Sequence, residues 1–290
     1  MEGCTLCPRM CGVDRSVRTG YCGSGAAVKA ARAAKHLWEE PCISGTEGSG
    51  TVFFSGCTLG CVFCQNREIS RGGVGKTLTA EQLAEVFRRL ENQGVHNLNL
   101  VTPTHFTPQI LQALEIVSPS VPVVMNTGGY ERVETLRKWE GKVDVYLPDL
   151  KYVSPELSGK YSAAPDYFEV ASKALLEMHR QQPKLVWDGD LLKKGLIVRH
   201  LVLPGCVQDS LAVLDFLDKN LPKDSFLLSL MSQYTPTAAC AEVKEINRRV
   251  TTYEYRKVAD RAAEQGFSGF TQDRRSAKEE YTPPFDLEGL

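Results

Sequence analysis

Residues 50–66 read GTVFFSGCTLGCVFCQN. Their first part, TVFFSG at 51–56, is apolar and rich in β-branched and aromatic residues, the composition of a buried strand. It runs straight into Cys57, Cys61 and Cys64, with Gly56 and Gly60 easing the turn. Three thiolates on one short loop can hold three corners of a cubane iron–sulfur cluster and leave the fourth iron without a protein ligand. An open coordination position marks a site that does chemistry, because structural sites are closed. The rival reading of the same residues is a zinc site completed by a distant His or Cys, such as Cys42.

Downstream of that loop, short apolar runs alternate with amphipathic segments. Strands are expected at 97–101, 121–127, 143–150, 195–205 and 225–233, with a last short one near 267–270. Helices are expected at 78–94, 107–117, 131–140, 165–181, 209–221 and 251–266. The first of these carries Thr79 as N-cap, Gln82 at the capping-box position and Gly94 as its stop. Strands that are apolar on both faces, each followed by a helix, specify a parallel sheet covered by helices. Six such units make an α/β fold with a curved sheet or partial (β/α)6 barrel. We divide the chain into a cysteine-rich module at 1–50, the barrel at 51–270 and a tail or lid at 271–290; the segment AAVKAARAAKHLWEE (26–40) reads as a helix.

The bulk properties fit one sizeable α/β unit. The chain has 290 residues, of which 42% are hydrophobic and 24% charged, with a formal net charge of −1. Nothing in that balance points to a nucleic acid or an acidic membrane surface, and the paired arginines at 248–249 and 274–275 read as solvated surface. No signal peptide and no membrane-spanning apolar run is seen, so a cytoplasmic location is expected. There thiols stay reduced, and bunched cysteines are read as metal or cluster ligands. Seven of the ten are bunched.

Cys4, Cys7, Cys11 and Cys22 supply four ligands, enough to close a site alone, in a segment too small to build a core. Zinc and a second iron–sulfur cluster both fit this spacing. RGGVGKT (71–77) looks like a phosphate loop, but the glycine needed five residues before Gly75 is Ser70, and no buried strand precedes it. Ligands in parallel α/β folds sit at the carboxyl ends of the strands. That rule picks out Thr102, Thr104 and His105, then Asn126, Thr127 and Tyr130, then Asp149 and Lys151, then Arg199 and His200, and finally Ser232, Gln233 and Tyr234.

With Phe63 just before the last cysteine, the Cys57-x3-Cys61-x2-Cys64 motif resembles that of the radical S-adenosylmethionine (SAM) superfamily. GTVFFSGCTLGCVFCQN, NTGGYE, DLKY and RHLVLPG are similar to the pyruvate formate-lyase activating enzymes and proteins allied to them. The resemblance implies a partial (β/α)6 barrel with a 4Fe-4S cluster held by Cys57, Cys61 and Cys64, and SAM chelating the open iron. It implies that a reductant such as flavodoxin or ferredoxin supplies one electron, and that a 5′-deoxyadenosyl radical then takes a hydrogen atom from a glycyl radical enzyme, another peptide or a small molecule. Asn126, Thr127 and Tyr130 would contact the ribose or adenine of SAM, and Asp149, Lys151 and Arg199 its polar groups. The chain departs from the superfamily at VTPTHFTPQ, which has no acidic residue where a Gly-Gly-Glu segment usually stands; Thr102, Thr104 or His105 would substitute. Readings from other classes are a P-loop ATPase and a non-catalytic zinc or iron–sulfur interaction protein.

Overall fold

The computed structural model describes residues 3–271 and 283–290. Among the described residues ten strands, β1 (Val28–His36), β2 (Ser49–Phe54), β3 (Lys76–Leu78), β4 (Leu98–Val101), β5 (Val123–Thr127), β6 (Val145–Pro148), β7 (Val186–Asp188), β8 (Leu191–Leu201), β9 (Leu227–Met231) and β10 (Gly269–Thr271), form one open sheet. Its order is β10-β9-β8-β6-β5-β4-β2-β1-β3, with β7 hairpinned onto β8. The run from β2 to β10 is parallel, and β1 and β3 extend it in the antiparallel sense. The sheet does not close, which makes it a partial barrel.

Nine α-helices among the described residues accompany it: α1 (Pro41–Ser44), α2 (Arg67–Ser70), α3 (Ala80–Asn92), α4 (Thr107–Val117), α5 (Val133–Leu136), α6 (Pro155–Ser162), α7 (Tyr167–Gln181), α8 (Val207–Asn220) and α9 (Thr252–Glu264). Helix α3 forms as its sequence dictates. Thr79 and Gln82 close a capping box, Leu83, Phe87 and Leu90 recur on one face, and Gly94 takes a φ of 74° past the end. That face packs on Val52, Leu98 and Leu100 of the sheet, and each such side chain taken out of water stabilises the fold by about 1.5–3 kcal/mol. Helix α6 and strand β7 lie in the stretches between the expected elements, and β8 covers most of the strand expected at 195–205. No helix among the described residues is long and apolar enough to cross a membrane.

The segment 26–40 corrects a sequence expectation, since residues 28–36 are strand rather than helix. Alanine favours helices, but here the backbone of β1 is hydrogen-bonded to β2 on one side and to β3 and the tail on the other. The small side chains of Ala30, Ala31 and Ala33 are fully packed. The sheet therefore takes in part of what the sequence assigned to the amino-terminal module. Residues 283–290 run along the same strand: Ala33 N–H donates to Glu288 C=O, Leu287 N–H donates to Ala31 C=O, and Phe285 packs edge-on against Phe53. The remainder of the expected tail or lid, with Arg274 and Arg275, lies outside the described residues.

After β1, residues 37–44 cross the concave face and plug it. Cys42 and Ile43 pack at one end with Val124, Val145, Leu147, Ile197 and Leu227. Above that apolar floor, the inward positions are polar: Glu39, Glu40, Asn99, Asn126, Asp149, Arg199 and Ser229 are all buried or nearly so.

Candidate functional site

The concave face opens into a cavity of about 270 Å³ at the carboxyl ends of the parallel strands. Cys57, Cys61 and Cys64 form one wall; Asn126, Thr127, Asp149, Lys151 and Arg199 line it from β5, β6 and β8; and His36, Trp38 and Glu39 come from the plug. Thr102, also in the lining, holds a left-handed φ of 59°, a conformation a β-branched residue adopts only at a cost.

The three thiols sit in a polar wrap. Leu59 N–H donates to Cys57 Sγ at 3.4 Å, Ser162 Oγ lies 2.9 Å from Cys61 Sγ, and Ser70 Oγ lies 3.5 Å from Cys64 Sγ. Burial, and then the like charges of Cys61 and Cys64, push the Cys57 thiol up to about 12. Burial likewise raises Cys61, with Lys151 opposing it. Three buried thiols in one wall, with an N–H and two hydroxyls against their sulfurs and burial outweighing the nearby cations Lys151 and Arg71, fit an iron–sulfur cluster, whose irons would supply positive charge. Cys42 does not complete this group: it packs in the apolar floor, away from the thiol wall. Among the described residues, no three His, Cys, Asp or Glu side chains close on one point as ligands of a single ion do.

A chain of charges runs through the same lining, reaching the thiols at Lys151. Lys151 Nζ pairs with Asp149 Oδ2, Arg199 Nε donates to Asp149 Oδ1 at 2.9 Å, and Arg199 Nη2 donates to Asn126 Oδ1 at 2.6 Å. Asn126 Nδ2 reaches Glu39 Oε2 at 3.4 Å, and Arg199 Nη1 lies 3.8 Å from the same oxygen. Burial alone would raise Asp149, but Arg199 and Lys151 outweigh it and hold the carboxyl below its ordinary value. For Glu39 and Glu40 burial wins over the attraction of Arg199, so both are raised.

Five of the eight residues expected to bind a cofactor thus line one cavity. Thr104, His105 and Tyr130 do not. Thr104 Oγ1 donates to Glu131, His105 Nε2 donates to Ser55 C=O at 2.8 Å beneath the cysteine loop, and Tyr130 turns its hydroxyl to Asp166. All three are buried and committed to these internal hydrogen bonds. His200 is also turned away, to Leu150 C=O and Ser210, whereas Gln233 and Tyr234 line the cavity. The GKT of 75–77 enters the edge strand β3 and forms no phosphate loop.

Sequence reasoning missed Glu39, Ser162, Ser70 and Glu131. Glu39 had no signal, since it reaches the site only through the fold of the plug. Glu131 had one: it directly follows Tyr130 in NTGGYE, and there it ties Thr104 to Thr127 while burial pushes it up to about 7. The glycine before that pair is required by space. A Cβ on Gly129, at φ 78°, would stand 2.1 Å from Asp149 C=O. Gly129→Ala is expected to cost more than about 1–3 kcal/mol and to lower Tm in a thermal melt; an unchanged melt would show that the β6 end can retreat.

The amino-terminal thiols also gather. A Cβ on Gly20 would lie 3.2 Å from Cys11 Sγ and 3.7 Å from Cys22 Sγ, Cys4 is near enough to Cys11 to lower its thiol, and Cys7 feels the charges of Cys22 and Cys4.

The Radical SAM superfamily model matches residues 51–197. An uncharacterised protein of Methanocaldococcus jannaschii is 31% identical over 273 residues, which cover 90% of this chain and 74% of that protein. A radical SAM methyltransferase from Sphaerobacter thermophilus superposes with a TM-score of 0.52 at 16% identity, over 77% of this chain and 65% of its own. HydG, a maturase of the FeFe-hydrogenase, superposes with a TM-score of 0.50 at 13% identity, over 73% and 48%. At those identities the likeness is one of fold, and the chain spans less than two thirds of the length of either solved structure.

Proposed function

The chain belongs to the radical SAM superfamily, and we propose that it removes a hydrogen atom from a peptide segment of a partner protein, in the manner of a glycyl radical enzyme activase. Membership implies SAM cleavage at an iron–sulfur cluster; the choice of substrate is our own reading. The observation that carries it is that Cys57, Cys61 and Cys64 and the Lys151–Asp149–Arg199–Asn126–Glu39 chain line one cavity.

Cys57, Cys61 and Cys64 would hold the cluster. Bound there, it would supply the one-electron reduction that cleaves SAM for hydrogen-atom abstraction. This chain's side chains bind and orient. Arg199 and Lys151 offer donors to a carboxylate, and Glu39 and Asp149 offer acceptors to an ammonium. Glu39 thereby supplies the acidic group that VTPTHFTPQ lacks. A cationic ligand beside it would offset the burial that raises its carboxyl. Trp38, half exposed beside Leu37, forms an apolar lip suited to a peptide and to excluding water from the cavity. The four amino-terminal thiols would hold zinc or a second cluster, and flavodoxin or ferredoxin would be the reductant.

The test is anaerobic reconstitution with iron and sulfide, then SAM and dithionite, reading 5′-deoxyadenosine and, with a glycine-loop peptide, deuterium transfer into the adenosine product. Product with SAM but no transfer from any peptide would leave the superfamily chemistry and remove the activase reading. Glu39→Gln is expected to raise the KM for SAM about tenfold or more with kcat little changed, the loss of one charge-assisted hydrogen bond. An unchanged KM would exclude Glu39 from the cofactor.

A further inference from the structure

The two cysteine groups are far apart in sequence and adjacent in space. Cys57 N–H donates to the carbonyl of Cys22 at 3.3 Å. Ser24 Oγ bonds Ser55 C=O, Arg9 Nε donates to Thr58 C=O at 2.8 Å, and Arg71 bridges Tyr21 C=O and Leu59 C=O. Arg9 and Arg71 stack on the ring of Tyr21 between the loops, at 4.1 and 4.8 Å. Through the Cys22–Cys57 bond, ordinary covalent geometry keeps the two sulfurs within about 12 Å of each other. That is inside the range over which electrons tunnel between redox centres in proteins.

Buried polar atoms without a partner collect along the same seam: Arg9 Nη2, Arg15 Nε, His105 Nδ1 and Glu131 Oε2. His105 and Glu131 are almost wholly buried. Arg9 Nη2 and Arg15 Nε are donors that an anionic cluster with its attendant waters would satisfy, whereas His105 Nδ1 and Glu131 Oε2 are acceptors for such waters; N–H groups around cluster sulfurs tune its potential. The exposure is graded as well. Cys7 and Cys22 are buried toward the barrel, while Cys4 and Cys11 are half-buried and Met10 beside them is exposed.

The barrel cavity must admit ligand and exclude water, so with its mouth filled an electron has to enter through the wall. The wall behind Cys57 is Cys22. We propose that Cys4, Cys7, Cys11 and Cys22 hold a second iron–sulfur cluster that delivers electrons to the Cys57–Cys61–Cys64 site across the Cys22–Cys57 contact. One electron leaves an external one-electron donor of the reduced flavin or ferredoxin class. It reduces the amino-terminal cluster by one unit and then passes inward, returning that cluster to its oxidised state. A structural zinc ion could not do this, having no second oxidation state. This role rests on the proposed SAM cleavage, but the presence of the cluster does not.

The full-length C57A/C61A/C64A variant, reconstituted anaerobically with iron and sulfide, is expected to retain about four irons and four sulfides, half the wild-type content, and to show a reduced-cluster EPR signal. In the fully reduced wild type, spin–spin coupling between the two centres is expected to broaden both signals. Stoichiometric zinc without iron in the variant would overturn the assignment. A wild-type spectrum that is the plain sum of two uncoupled signals would overturn the electron path. Absence of 5′-deoxyadenosine in wild type with both clusters present would instead sink the proposed function and leave this site standing.

Discussion

Cys61→Ala is expected to abolish formation of 5′-deoxyadenosine and to remove the barrel cluster's iron while the fold survives. Cys61 stands in the cavity wall, its sulfur 2.9 Å from Ser162 Oγ and close enough to Lys151 to feel its charge. Partners one step removed from a metal are typically worth about 10–100-fold, so losing a ligand itself should exceed the top of that range. Cys42→Ala is the internal contrast. Cys42 packs in the apolar floor, where burial pushes its thiol up to about 12, and its loss should leave product and iron unchanged. Anaerobic iron analysis and product chromatography on both variants check this. Product at the wild-type rate from Cys61→Ala, or iron loss from Cys42→Ala, would refute the three-thiol site.

Arg199→Met is expected to destabilise the protein by about 3–5 kcal/mol, because it leaves buried carboxylates without their cation. For a chain of this size that is a fall in Tm of about 6–10 °C. The loss should depend on pH with a definite sign. Asp149, held below its ordinary value of 3.8 by Arg199 and Lys151, contributes stability above that pH and loses it as pH falls through its lower folded value. Glu39 and Glu40 are raised above 4.5 by burial, with Arg199 opposing, so removing Arg199 raises them further and costs stability as pH rises. The Asp149 effect is complete once the pH is above its ordinary value of 3.8, so a gap that widens further as pH rises reports Glu39 and Glu40. Chemical denaturation between about pH 5 and pH 8 measures it, and a gap constant across that range would mean the charges are solvated rather than coupled.

The same charges show how far the sequence could be read. Asp149, Lys151 and Arg199 were found as polar residues at strand ends, because the carboxyl-end rule needs only the order of strands and helices. Thr104, His105 and Tyr130 satisfied the same rule and yet turn away from the cavity, since a residue's place after a strand does not fix which way the loop presents its side chain. Glu39 escaped notice because nothing local distinguishes it from Glu40 beside it. Its role comes from the path of residues 37–44 across the concave face.

Periodicity and capping are local properties, and so the sequence by itself determined the parallel α/β alternation, the ends of helices such as α3 and α9, and the thiol loop at the end of a buried strand. Pairing between distant segments is a property of the whole chain. Only the tertiary structure decided that the alanine-rich stretch 28–36 is a strand, that the plug carries Glu39 to Arg199, and that Cys22 rests against Cys57. In each case backbone hydrogen bonds or buried charges from elsewhere in the chain outweighed what the neighbouring residues prefer.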